Sequence, residues 1–494
     1  MESTATCRKY AVSAHASEHK EPTQAEMLME LTKDMLFFRS LDDGKDYANF
    51  YNEEHRKTLS VASKDFKSHL AAQFFDVKGK PPHSKALQDA MAVIEGLAMQ
   101  NPKPWPVHVR VASGENAMWL DLGDEDFRIV QVTSAEWKVI AESPVYFCRP
   151  KGMKALPEPV RGGSVSELRK FVNVESEDDF ILLTHWLIAA FDGDGPYPIL
   201  VLQGEQGSAK STAARVLREL IDPVASSIRG LPKGERDLLI AAKNGWVMSF
   251  DNLSKLPDSL ADAFCRLATG GGLAPRKLYS DDDAMLLDAK RPVILNGIEA
   301  LAIRGDLADR AIVLSLPTIP DARRKTEKEF WGEFHEAKAR ILGAVLDAVQ
   351  CVLYNTERKF QCSRGYMRMA DFHYRAVAAT PVLPWTAEEF EAAYEENRRN
   401  AKEITLEADP IATMIMEFMG GRDFWKGTAT ELFECMKQIA DGAGRSFSIK
   451  TANILSNELA RLGPALSVAG LEISRGKERG RRYIEIKRIE QCNA

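Results

Sequence analysis

Apolar residues recur along this chain at two spacings, and the two alternate. Over 24–38, Met27, Leu28, Leu31, Met35 and Leu36 lie at helical intervals, which predicts a helix. Asp42-Asp43-Gly44 turns the chain into a short strand-like run, 47–51. Residues 66–75 and 84–99 read as two further helices. Residues 107–111 and 118–122 read as strands around the turn Gly114-Glu115-Asn116, and 127–133 continues the β pattern. Three prolines and a glycine in 150–159 keep the chain extended, as a linker does. Residues 165–171 and 178–191 return to helix. The second, DDFILLTHWLIAAF, is apolar nearly all round and is expected to be buried.

That helix delivers the chain to the stretch with most chemistry. An apolar run (Ile199, Leu200, Val201, Leu202) enters Gly204-Glu205-Gln206-Gly207-Ser208-Ala209, then Lys210-Ser211-Thr212 and a helical pattern over 213–220. Strand, small-residue loop, Lys-Ser, helix is the setting of a phosphate-binding loop. Loop and helix N–H groups meet phosphate oxygens, Lys210 reaches the β/γ-phosphates, and Ser211 holds Mg²⁺. The usual motif has glycine where this chain has Ala209. Alanine resists positive φ, so either the backbone avoids it at 209 or Gly207 takes the bend.

Partners for such a loop follow in order. Residues 246–250 form an apolar strand ending in Asp251-Asn252, the place of the acid that orients Mg²⁺. Many ATPases carry a second acid where this chain has Asn252, and an amide positions water but cannot take its proton. Asp251 itself, Glu205 or Asp262 are the alternatives for that role. A further apolar strand over 291–295 ends in Asn296-Gly297, where a polar side chain would sense the γ-phosphate. Arg310 stands just before another strand, 311–314, as an arginine finger would, with Arg304 as second choice. A finger acting on a neighbour implies a ring of subunits.

Helical spacing resumes over 327–353, 368–377 and 387–400, a helical lid after the core. Residues 408–488 read as a separate unit: helices at 410–418, around the capping-box pair Thr428 and Glu431, and at 451–462, then strands at 466–473 and 482–486. Three helices and a hairpin make a winged-helix plan. The third helix offers Asn453, Ser456, Asn457 and Arg461 to a DNA groove. The wing carries Arg475, Lys477, Arg479, Arg481 and Arg482 for phosphates. Between 475 and 488 there are seven Lys/Arg against two Glu. That patch matters because the chain as a whole has net charge −6, so DNA contact must be local.

Composition adds boundaries. With 45% hydrophobic and 28% charged residues this is a globular chain of two to four domains, at about 150 residues each. Seven scattered cysteines without C-x-x-C make neither a zinc site nor a disulfide framework, and suit a reducing, cytoplasmic location. No run of about 18 apolar residues and no signal-peptide pattern are visible, so no membrane partner is expected. Residues 1–23 read as a disordered tail. The acids Asp121, Asp124, Glu125 and Asp126 cluster either as a solvated hairpin edge or as a metal site.

The order GEQGSAKST, WVMSFDN, RPVILNG, DLADR resembles the superfamily 3 helicases of phage and poxvirus primase-helicase type, within the AAA+ class. The resemblance is strongest over 155–345. It implies Lys210 and Ser211 on nucleotide and metal, Asp251 as the Mg²⁺-orienting acid, Asn296 as sensor and Arg310 as finger. Such helicases have a channel-facing hairpin near Gly270-Gly271-Gly272, which assigns Arg276 and Lys277 to DNA phosphates and Tyr279 to base stacking. No primase catalytic module is recognisable upstream. The expectation is therefore an α/β chain: an N-terminal mixed module (24–150), a P-loop AAA+, superfamily 3-like core with lid (151–400), and a winged-helix domain (401–494). Its function would be that of an ATP- and Mg²⁺-dependent DNA motor of a phage, plasmid or integrated element. DNA, further copies in a ring, expected as a hexamer, and a primase or other replication protein are the expected partners. An ATP-gated DNA-binding switch, or a helicase loader that unwinds nothing, stands as the alternative.

Overall fold

The computed structural model describes residues 21–52, 55–226, 229–253, 256–271, 290–297, 305–358, 362, 365–442, 444, 447, 449–478 and 480–489. Contacts divide the chain into two compact units, one ending at Trp105 and one running from Pro106 to the C-terminus, with short exchanges around 41–43 and 53–56. The sequence suggested a division near 150 instead.

The first unit holds α1 (Gln24–Glu30), β1 (Leu36–Arg39), β2 (Asp46–Asn52), β3 (His55–Ser60), α2 (Lys64–Lys78) and α3 (Ser84–Gln100), the strands in order β1-β2-β3. Its core joins Leu28, Phe37, Phe50, Phe66, Leu70, Phe74 and Ile94. The helix expected over 24–38 is cut short. It ends at Leu31, and Leu36–Arg39 pairs with β2 instead, which buries Phe37 and Phe38, residue types that favour strands.

The second unit opens with β4 (Val107–His108), β5 (Val111–Ser113), β6 (Ala117–Asp121), β7 (Ile129–Thr133), β8 (Trp137–Ile140) and β9 (Tyr146–Phe147). The strand expected over 107–111 breaks at Arg110, whose φ is +66°. Arg110 is fully buried and its guanidinium meets Asp222 Oδ1 (3.1 Å) and the carbonyls of Asp121, Lys154 and Pro223. The kink turns this side chain inward, where only such partners offset its desolvation. Met118, Leu120, Val130, Val132 and Trp137 share one apolar core with residues of 180–191 and 334–349. That shared core is why strands 107–147 belong to the second unit.

Next come α4 (Glu177–Ala189), β10 (Ile199–Gln203), α5 (Lys210–Ile221), α6 (Glu235–Lys243), β11 (Met248–Leu253), α7 (Asp258–Thr269), β12 (Val293–Gly297), α8 (Gly305–Ala308), β13 (Ala311–Ser315), α9 (Glu327–Glu357), α10 (Ala370–Ala379) and α11 (Ala387–Ala408). A 3₁₀ turn (Val165–Lys170) stands where a helix was expected. Residues 180–189 of α4 are all buried, as the apolar pattern predicts. The four strands run parallel in the order β11-β12-β10-β13. Ile199 to Leu202 are buried on both faces, as strands between two helical layers must be. The pleat sorts them: Leu200 and Leu202 join the core of α4, α5 and α9, while Ile199 and Val201 join that of α6 and α7.

The last elements are α12 (Pro410–Phe418), β14 (Phe424–Gly427), α13 (Ala429–Gly442), α14 (Ala452–Val468), β15 (Leu471–Glu478) and β16 (Arg481–Arg488), the strands ordered β14-β16-β15. Thr428 and Glu431 form the expected cap at the start of α13. Two readings change. The third helix runs on through 463–464 to Val468, so the strand expected from 466 begins at Leu471. A short strand, β14, was missed because FWKG alone has no period, and pairing with β16 defines it.

Candidate functional site

The loop between β10 and α5 is built from positions with unusual backbones. Gly204 has φ +148°, and a methyl there would lie 2.4 Å from Leu316 O, so only glycine fits. Gly207 has φ +83°, and Ala209 takes φ +61° as well. The loop thus bends at both places rather than sparing the alanine. Ser208 is fully buried, and its hydroxyl donates to Glu205 O (2.8 Å). Lys210 Nζ lies within the loop, donating to Gly204 O (2.8 Å), Glu205 O (2.7 Å) and Ser208 Oγ (3.1 Å). Burial pulls its pKa down, and Asp251 opposes that. Glu205 and Gln206 are exposed at the mouth, and Thr212 faces the neighbouring cleft.

The carboxyl ends of β10, β11 and β12 bring three of the other residues to this loop. Ser211 Oγ donates to Asp251 Oδ1 at 3.0 Å. The same oxygen accepts Asn252 N–H (2.7 Å), which also reaches Asn296 Oδ1 (2.9 Å). Asn252 has φ +56°, and the β11–β12 register slips between Phe250 and Leu253. That bulge turns the Asn252 amide toward both side chains. Asn296 is fully buried, and its Nδ2 has no hydrogen-bond partner among the described residues. A hydroxyl and a carboxylate 3.0 Å apart beside a lysine are hard oxygen donors that suit Mg²⁺, which binds through one or two carboxylates and keeps water and phosphate oxygens.

Arg310 lies elsewhere. Its carbonyl accepts Ile199 N–H (2.9 Å) and its Nη1 donates to Asp306 O (2.9 Å), at the amino edge of the sheet. Four strand residues, about 13 Å, separate that edge from the loop of the same chain. Asp309 is bound instead to Arg368 (2.8 Å) and Arg398 (3.3 Å). Arg276, Lys277, Arg304 and Arg479 lie outside the described residues. In the acid cluster, Asp121 is held by Arg149 (2.6 Å) and Asp124 by Arg128 (2.7 Å), and among the described residues no group of three or more His, Cys, Asp or Glu could hold a metal.

A cleft of about 660 Å³ adjoins the loop at Ala209 and Thr212. Phe171, Phe330 and Trp331 line one side, with ring centroids 5.8 Å and 5.3 Å apart in edge-to-face pairs. Arg323, Arg324 and Lys325 line its rim. Neither the aromatic wall nor this rim was found from the sequence. A triplet of cations just after the proline-containing stretch 317–320 was the available signal.

On the C-terminal hairpin, Lys477 stands directly opposite Arg482, and Arg475 is two residues from Lys477 on the same face. Like charges opposite each other destabilise a sheet unless an anion lies across them. Arg475 also donates to Ser456 O of α14, so this face is the one that meets the helix. Arg481 pairs across from Glu478 on the other face. Asn453 and Asn457 of α14 are exposed, whereas Arg461 is bound to Asp409 (2.5 Å) and Glu458 (2.6 Å), so its expected offer to a groove is not met.

Residues 165–385 match the family model of the actinomycete integrative conjugative element replication protein, AICE RepA, and residues 411–494 match its C-terminal domain. No curated protein matches the chain. Among solved structures, two of the NrS-1 C-terminal region align with 95% of this chain and all of theirs, at 11% and 12% identity and a TM-score of 0.38, a likeness too loose to carry an argument. Among the described residues no helix is long and apolar enough to cross a membrane. The two matches follow one another in the chain, are parts of the same replication protein, and support a replication protein of a mobile element.

Proposed function

We propose that this chain is an ATP-dependent DNA motor of a mobile element, built on a P-loop AAA+ core of superfamily 3 type with a winged-helix DNA-binding domain. The observation that carries the reading is the hydrogen-bonded series Ser211–Asp251–Asn252–Asn296 gathered at the mouth of the loop that holds Lys210. Insertion of β12 between β10 and β11 supports it, because that places a polar residue, Asn296, between the phosphate loop and the acid. The aromatic cleft beside Ala209 would seat the base, and the Arg475–Lys477–Arg482 face would grip phosphates.

Ser211 and Asp251 would hold Mg²⁺, which when bound neutralises phosphate charge. Lys210 adds a positive charge at the same phosphates. Asn296, whose buried Nδ2 has no partner among the described residues, would donate to a water or a γ-phosphate oxygen. Arg310, on the far edge of its own sheet, would serve a neighbour's site, which makes a ring the working form.

Asn252 favours a second reading, an ATP-gated DNA switch, since an amide takes no proton from water. ATP turnover, with Lys210→Ala and Arg310→Ala as controls, separates the two. Fork unwinding by a protein that turns over ATP then separates a helicase from a loader.

A further inference from the structure

After β13 the chain comes back across the phosphate-type loop. Leu316 N–H donates to Gln203 O (2.8 Å) and Ile319 N–H to Gly207 O (3.1 Å). Asn173 Nδ2 joins Ser208 O (3.1 Å) to Pro317 O (2.5 Å). These bonds fix 316–320 against the loop, and the three cations 323–325 follow immediately. Arg324 reaches furthest in: a methyl built on Gly207 would lie 3.3 Å from its Nη2 and 3.7 Å from Thr318 Cγ2. Arg324 also pairs with Asp321 Oδ1 at 3.2 Å, but the two side chains are 55% and 92% exposed. An exposed pair of this kind is weak and yields to a better anion.

We propose that Arg324 binds the terminal phosphate of the nucleotide in its own subunit, so that the site distinguishes a nucleoside triphosphate from a diphosphate without a neighbour's help. The proposal rests on the reading of 204–212 as a nucleotide loop. Lys210 is the first cation of that loop, Arg324 is a second at its rim, and Arg310 stands at the opposite end of the strands, about 13 Å along them from the loop. A guanidinium offers a planar fork of donors that matches two phosphate oxygens at once, which a lysine cannot reproduce. The backbone bonds at Gly207 and Ser208 hold the segment carrying Arg324 on the loop itself, so loop and cation form one seat.

Equilibrium binding of ADP and of a non-hydrolysable ATP analogue, with Mg²⁺, to the full chain tests this. Arg324→Ala should weaken the analogue about tenfold or more and ADP less than about threefold. Arg324→Lys should recover part of the loss, and Lys210→Ala should lose both ligands. If Arg324→Ala keeps the wild-type ratio of the two affinities, or weakens both equally, the assignment to the terminal phosphate fails while the loop reading stands. If the wild type binds neither nucleotide, or Lys210→Ala binds as the wild type does, the loop reading itself fails and takes this proposal with it.

Discussion

Ala209 holds a left-handed backbone that costs an L-residue about 1–2 kcal/mol, beside a glycine that also has positive φ. Glycine at 209 would release that strain and give back about 0.5–1 kcal/mol through the unfolded chain. Ala209→Gly is therefore expected to raise the thermal midpoint by about 1–3 °C; a fall in the midpoint would contradict the strain. A second expectation concerns His185, buried against Phe390 with its Nδ1 on Ile181 O (2.8 Å). Burial pushes its pKa down to about 4, from 6.5. As pH falls, the unfolded chain takes the proton first, so stability is full above pH 6.5 and drains away between 6.5 and about 4. Denaturant midpoints should show this group losing about 1 kcal/mol between pH 7 and 5.5, a loss absent in His185→Gln. An unchanged pH dependence in that variant would count against it. At this scale the sequence displayed Lys210, Ser211, Asp251 and Asn296 because each ends a strand or starts a helix. It concealed Arg324, which no spacing ties to the loop and which arrives there only through the hydrogen bonds of Leu316 and Ile319.

Among the elements, α9 shows how packing reverses a local rule. Gly343 lies inside this helix, and a methyl on it would come 1.9 Å from Val160 O; one on Gly163 would come 2.2 Å from Arg340 O. The strap at 160–163 thus lies directly on the helix, with Val160 N–H on Ala339 O (3.0 Å). Gly332, in the same helix, has nothing within 4 Å. Gly332→Ala should gain up to about 1 kcal/mol from helix propensity. Gly343→Ala should lose about 1–2 kcal/mol, because overpacking outweighs that gain. Equal effects at the two sites, measured by chemical denaturation, would refute the close approach. Long periodic segments such as α3, α4 and α9 were legible from the sequence. Element ends were not: β1 and β14 exist through pairing with β2 and β16, and the break at Arg110 exists because a buried guanidinium needed Asp222.

For the whole molecule, the parallel sheet separates two kinds of charge. Lys210, Ser211, Asp251 and Asn296 gather at its carboxyl edge, and Arg310 stands at the amino edge. On the proposed reading, Arg310 would complete the site of a neighbouring copy in a ring. The family matches support a replication protein of a mobile element. The proposed motor activity rests on chemistry at one loop. The decisive measurement is ATP turnover by the purified full chain, with no DNA, with single strands and with duplex, beside Lys210→Ala. Turnover should rise with DNA and fall about 100-fold or more in the variant. Turnover no greater than background in the wild type under all three conditions, or equal rates in wild type and variant, would contradict it.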